Sequence, residues 1–190
     1  MHLIIDTETT GKCIFDLPVE HASQPNLVQV GAILYDDAKN IRGELNAIIK
    51  PDGWTIPAEA SAVHGITQEL AEAFGIPLRT VLSVMKHFMN SAKVLSSFNW
   101  SFDSQILETA FFRIGQTIDL HESRETFCTM AASTNLCKIP SLYGSGFKWP
   151  KLSEAYRHFF NADFEGAHDA MADVRAAARI YFHLRTEVAA

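Results

Sequence analysis

Runs of apolar residues and their breaks divide the chain into strands first and helices later. Leu3-Ile4-Ile5 is a short apolar run that leads into Asp6-Thr7-Glu8 and stops at Thr9-Thr10-Gly11. That is the pattern of a buried strand ended by a glycine. Residues 12–26 carry Pro18, His21 and Pro25 among polar positions and predict a loop longer than most. Residues 27–35 are almost continuously apolar and predict a second strand. Asp36-Asp37-Ala38-Lys39-Asn40 predicts a turn, and residues 45–49 a third strand ended by Lys50-Pro51-Asp52-Gly53. Links this short join antiparallel neighbours into a meander.

Farther along, the period changes to that of helices. Residues 57–64 predict a short helix closed by Gly65, and Thr67 caps a further turn. From Pro77 onward, Leu78, Val81, Leu82, Met85, Phe88 and Met89 recur at helical spacing. Residues 94–98 predict a fourth strand. Over residues 102–114, Ile106, Leu107, Ala110, Phe111 and Ile114 line one helical face, with Gly115 as the stop. Residues 126–136 predict a helix, and residues 139–150 a loop rich in Gly, Ser, Pro and aromatics. Leu152, Ala155, Tyr156, Phe159 and Phe160 predict an amphipathic helix. The last helix runs from about residue 169 to 186, with Ala170, Val174, Ala177, Ala178 and Tyr181 facing inward. Early strands and late helices, with no repeat or linker, imply one α/β domain over residues 1–190 built on a mixed sheet.

Composition narrows the class. A chain of 190 residues can bury one full core. Its 47% hydrophobic and 20% charged content is that of a soluble globular protein. No apolar run is long enough to span a membrane, and no signal peptide precedes the first strand, so a cytoplasmic protein is expected. Cys13, Cys128 and Cys137 are odd in number and lack zinc-ligand spacing, as expected of reduced thiols. The net charge of -6 speaks against a duplex binder with a basic face. It does not exclude a protein that holds only a strand end through few phosphate contacts, particularly if some acids ligate cations.

Several acids stand in places where acids are costly. Side chains alternate along a strand, so Asp6 and Glu8 point to one side. Two carboxylates at the tip of a buried strand repel unless a cation or a proton lies between them. The alternative is a solvated loop that happens to read Asp-x-Glu. Asp103 shares a helix face with Ile106, Leu107, Ala110 and Ile114, because the other faces carry Ser104, Gln105, Glu108, Thr109 and Arg113. It is either an inward-facing ligand or an acid that favours the helix dipole. In Gly166-Ala167-His168-Asp169-Ala170-Met171-Ala172-Asp173, Asp169 suits an N-cap, with His168 just outside the helix and Asp173 one turn inside. Asp169 and Asp173, four apart, could equally form an acidic pair of their own.

Three stretches stand in order: Asp6-Thr7-Glu8-Thr9-Thr10-Gly11, then Phe98-Asn99-Trp100-Ser101-Phe102-Asp103, then His168-Asp169-Ala170-Met171-Ala172-Asp173. Together they resemble the three motifs of the DEDDh 3'-5' exonucleases, and in particular the proofreading (epsilon) subunit of bacterial DNA polymerase III. Val63-His64-Gly65-Ile66-Thr67 resembles a further segment of that subgroup. The likeness covers nearly the whole chain. It implies a ribonuclease H-like fold whose central strand ends at Asp6 and Glu8. It implies Asp6, Glu8, Asp103 and Asp173 as ligands of two divalent ions, Mg²⁺ or Mn²⁺, with His168 as general base and Asp169 as a cap. Hard oxygen donors suit those ions, and a histidine can take a proton from water near neutral pH.

The implied reaction is hydrolysis of the terminal phosphodiester of single-stranded or frayed DNA from the 3' end, releasing nucleoside 5'-monophosphates by a two-metal mechanism. An exoribonuclease resembling oligoribonuclease or ribonuclease T is the alternative; a non-catalytic nucleic-acid-binding domain ranks lower. Thr7, Thr9, His64, Asn99 and Trp100 lie in or beside these motifs and are the candidate substrate contacts. Trp100 either stacks on a terminal base or packs on the core. Phe147, Lys148 and Trp149 invite a similar reading. A polymerase or repair complex is the implied protein partner, although the chain stops at Ala190 without the polymerase-binding extension of the proofreading subunit.

Overall fold

The computed structural model describes residues 1–120, 124–142 and 144–187; residue 143 of the late loop lies outside them. Five strands form one mixed sheet: β1 (His2–Thr9), β2 (Leu27–Tyr35), β3 (Ile41–Ile48), β4 (Val94–Ser97) and β5 (Glu125–Cys128). Their order is β3-β2-β1-β4-β5. The first three pair antiparallel, β1 to β2 through the long loop and β2 to β3 through a short turn, and β4 and β5 extend the sheet in parallel from β1. The helices are α1 (Ala58–His64), α2 (Gln68–Phe74), α3 (Leu78–Ser91), α4 (Trp100–Arg113), α5 (Thr129–Cys137), α6 (Leu152–Phe160) and α7 (Ala170–Glu187). No helix among the described residues is long and apolar enough to cross a membrane.

Strand alternation sorts the helices into two layers. Leu3, Ile5, Val30, Ala32 and Leu34 pack on one side against Val81, Leu82, Met85 and Met89 of α3 and Ile106, Leu107, Ala110 and Phe111 of α4. Ile4 and Ile33 pack on the other side against Ala155 and Tyr156 of α6 and Val174, Ala177 and Tyr181 of α7. β1 lies at the centre with both faces covered, so its tip is where the two layers meet.

Three expectations are corrected. The helix expected from residue 126 begins at Thr129, because residues 125–128 pair with β4 as an edge strand. Four partly exposed residues carry no alternation by which a strand could be read. β3 starts at Ile41 rather than at residue 45, with exposed positions that only its pairing to β2 makes regular. Ser104 and Thr109, expected on the outer face of α4, are 6% and 2% exposed. Burial there extends well beyond the apolar stripe.

The loop 12–26 is a built element. The Thr10 N–H donates to the Asn26 carbonyl (3.0 Å), and the Asn26 N–H to the Thr10 hydroxyl (2.8 Å). Gln24, 2% exposed, donates its amide to the carbonyls of Ile14 (2.9 Å) and Leu17 (3.0 Å) and accepts the Ile14 N–H (3.1 Å). Arg113 of α4 clamps the Gln24 and Pro25 carbonyls at 2.6 and 2.8 Å. Together these give a compact loop with joined ends.

Candidate active site

β1 presents Asp6 and Glu8, both half-buried, on the same face as Ile4, toward the α7 layer. Thr7 between them faces the opposite layer, where its hydroxyl donates to Asp103 Oδ1 at 2.7 Å. Asp103 is 3% exposed in the first turn of α4, so the inward placement read from helical spacing holds. Asp173 comes from the other layer. Asp169 Oδ1 accepts the Met171 and Ala172 N–H groups at 3.1 and 3.0 Å, capping α7 and freeing Asp173 to face the strand tip.

The His168 N–H donates to Asp173 Oδ2 at 3.2 Å. One donor atom each from Glu8, His168 and Asp173 lie within 4.8 Å of one another. The other Asp173 oxygen, Oδ1, is buried with no hydrogen-bond partner among the described residues. Local backbone strain accompanies this placement: His168 has φ 72°, a left-handed conformation that costs a side-chain-bearing residue about 1 kcal/mol or more.

Gly31 decides how closely α7 can approach. It stands opposite Asp6 in the β1–β2 ladder. A Cβ at this position would lie 2.7 Å from the Ala170 carbonyl oxygen and 3.1 Å from the Met171 nitrogen. The first turn of α7 therefore rests directly on β2, and only glycine leaves room for it. Sequence reasoning passed over Gly31. The signal was present, since a glycine inside an apolar strand marks close backbone approach.

Burial pushes every acid of the group upward, and neighbouring carboxylates add to the rise at Asp6, Glu8 and Asp173. Burial raises Asp6 well above the usual carboxylate range, and the charges of Asp103, Asp173, Glu8 and Asp169 add to it. Burial, with Asp173 and Asp103 nearby, pushes Glu8 up to about 8. Burial lifts Asp103 to about 7 against the opposing pull of the Thr7 and Ser97 hydroxyls. Asp173 is raised by burial, opposed by its bond to the His168 backbone. Carboxylates this crowded hold either protons or cations. Four hard oxygen donors, one with an orphaned buried atom, fit Mg²⁺ or Mn²⁺ better than zinc.

Residues 3–181 match the RNase T exonuclease family. The chain belongs to this exonuclease family. It is accordingly a nuclease. A protein of Escherichia phage 186, named uncharacterized exonuclease CP81, is 30% identical to this exonuclease over 184 residues, covering 91% of this chain and 82% of its own. A DNA polymerase III subunit epsilon-like protein of Rhodobacter capsulatus is 30% identical over 119 residues, 62% of this chain but 15% of that protein. E. coli exonuclease I, solved in complex with a dT13 oligonucleotide, superposes with a TM-score of 0.74 at 21% identity. The match covers 98% of this chain and 40% of exonuclease I. The expected α/β, ribonuclease H-like architecture is thereby shown.

The remaining residues singled out from the sequence divide in two. His64 is half-buried beside the Thr9 backbone; its Nδ1 accepts the Ile66 N–H at 3.1 Å, and burial lowers its pKa. Asn99 is partly exposed at the N-cap of α4, immediately before the turn that carries Asp103. Both border the acids of the exonuclease. The side chains of Thr7, Thr9 and Trp100 are engaged within the protein. The Thr7 hydroxyl is committed to Asp103, and the Thr9 hydroxyl donates to the Gly11 carbonyl at 2.6 Å. Trp100 is 5% exposed in the core shared with Ile106 and Leu107, which leaves no ring face for a terminal base.

Proposed function

We propose that this exonuclease shortens single-stranded or frayed DNA from the 3' end, with two divalent cations and His168 as general base, releasing nucleoside 5'-monophosphates. The observation that supports it most is the meeting of Glu8, His168 and Asp173 within 4.8 Å beside the half-buried Asp6 and the buried Asp103. Asp6, Glu8, Asp103 and Asp173 would hold the cations, Mg²⁺ or Mn²⁺. When bound, these supply charge neutralisation and Lewis acidity at the scissile phosphate.

The protein groups then have separate tasks. A ring nitrogen of His168 takes the proton of the attacking water. The bond from its backbone to Asp173 keeps base and acid in fixed relation. The Thr7 hydroxyl orients the Asp103 carboxylate. His64, beside the Thr9 backbone, and Asn99, at the N-cap of α4, contact the terminal nucleotide in this reading. DNA is preferred over RNA in this reading on the strength of the fold shared with a protein solved on dT13. The name of the Rhodobacter relative supports a polymerase or repair complex as partner.

The test is a 5'-labelled oligonucleotide, made as DNA and as RNA. The expected result is a ladder shortening from the 3' end of DNA that stops in EDTA and resumes with Mg²⁺ or Mn²⁺. Faster turnover of RNA would replace the substrate, internal cuts would remove the end requirement, and EDTA-resistant turnover would remove the metal.

A further inference from the structure

Outside the acid site, the most unusual part of the molecule is the stretch between α5 and α6. No aspartate or glutamate occurs from residue 126 through residue 153, in a chain of 190 residues that carries 22 acids and a net charge of -6. The same stretch contains Lys138, Lys148 and Lys151. A stretch this different in charge from the rest of the chain fits an anionic partner.

Its exposed side chains are also unusual. Leu142 is 89% exposed, Trp149 69% and Phe147 44%. They are displayed by a built hairpin. Pro140 and Phe147 pair antiparallel, the Ser141 N–H donates to the Gly146 carbonyl at 3.0 Å, and the Lys148 N–H donates to the Ile139 carbonyl at 2.9 Å. Lys148 turns inward to Glu154, with its ammonium 2.7 Å from both carboxylate oxygens. Phe147 and Trp149, on either side of it in sequence, stay outward. Pro150 biases Trp149 toward extended backbone, where alternate residues share a side about 7 Å apart. Lys138, at the C-cap of α5, and Lys151, at the N-cap of α6, are both exposed at the base of the hairpin.

We propose that this hairpin is a second contact for the substrate, a platform for single-stranded nucleic acid away from the cleaved end. Bases stack on Phe147 and Trp149, and phosphates meet Lys138 and Lys151. Every base has a ring face, so such a platform accepts any sequence. A protein partner would use the apolar side chains but has no need of the net positive charge that Lys138, Lys148 and Lys151 leave around the one acid there, Glu154. The proposal rests on the exonuclease reading, and it concerns affinity for long strands rather than chemistry.

The experiment separates the two. Trp149 is far more exposed than the buried Trp100 and the half-buried Trp54, so the difference in emission between wild type and Trp149→Phe reports on this surface. In EDTA, an oligo-dT about a dozen nucleotides long is expected to quench that emission on binding, and the anisotropy of the same oligonucleotide carrying a 5' fluorophore gives the affinity for wild type and variants alike. Trp149→Ala should weaken that binding roughly tenfold, as loss of one stacked base does, and Trp149→Phe should restore most of it. Lys138→Gln with Lys151→Gln should lower the slope of log affinity against log salt by about 1.4. With divalent ions present, the same variants should cleave a dinucleotide as the wild type does while KM for the long strand rises. Unchanged affinity of Trp149→Ala and of the lysine pair for the long strand overturns the platform and leaves the hairpin to a protein partner. A wild type that cleaves neither substrate would instead count against the exonuclease mechanism.

Discussion

Asp173 leaves one buried oxygen unpartnered while Asp6, Glu8 and Asp103 crowd the same strand tip. Removing one charge while keeping the volume should therefore separate activity from stability. Asp6→Asn is expected to abolish turnover yet raise the melting temperature in EDTA at about pH 8 by several degrees, because 1 kcal/mol is worth about 2–4 °C at this size. Parallel activity and melting measurements check it; a lower melting temperature would make Asp6 a structural acid. His168 offers a second separation. His168→Gly removes the base and relieves a left-handed φ of 72°. Turnover should fall by roughly 10²–10⁴, while urea unfolding shows stability unchanged or higher by up to about 1 kcal/mol. At this scale the sequence was legible where a charge conflicted with its surroundings, as at Asp103 among the apolar residues of α4. It was not legible for Trp100, Ser104 and Thr109. Helical spacing gives direction around an axis but not how much of the circumference another layer covers.

Between α7 and β2 the tolerance is set by one missing methyl group. A Cβ on Gly31 meets backbone atoms of Ala170 and Met171, which have no rotamer to change. Gly31→Val should lift the first turn of α7, lower turnover at least tenfold and raise the metal concentration needed, alongside the roughly 1–3 kcal/mol lost to overpacking. Gly43→Ala is the control. Its Cβ meets the Phe88 ring, at the other end of the sheet, so it should cost stability without changing the metal requirement. Metal titration of activity for the two variants distinguishes steric damage at the site from damage elsewhere. Elements with a strong period were readable, including β2 at its observed bounds and the inner face of α7. β5 was not, because four half-covered residues owe their extended state to hydrogen bonds from β4.

For the molecule as a whole, the acid group makes stability depend on pH and on metal. Unfolded carboxyls titrate near about 4, whereas Glu8 sits at about 8 and Asp103 at about 7 when folded. Between those limits the folded protein holds protons that the unfolded chain has released, so this contribution to stability falls as pH rises. In EDTA the melting temperature should be lower at about pH 8 than at about pH 5.5, and saturating Mn²⁺ should raise it most at the higher pH. Equal gains at both pH values would mean that the ion binds elsewhere. The acids also come from widely separated parts of the chain. Asp6, Glu8 and Asp103 leave the ribosome well before Asp173, which arrives only with the helix that rests on Gly31. A partly translated chain accordingly lacks Asp173, and on the proposed reading its set of cation-holding acids is completed only when synthesis has passed the final motif.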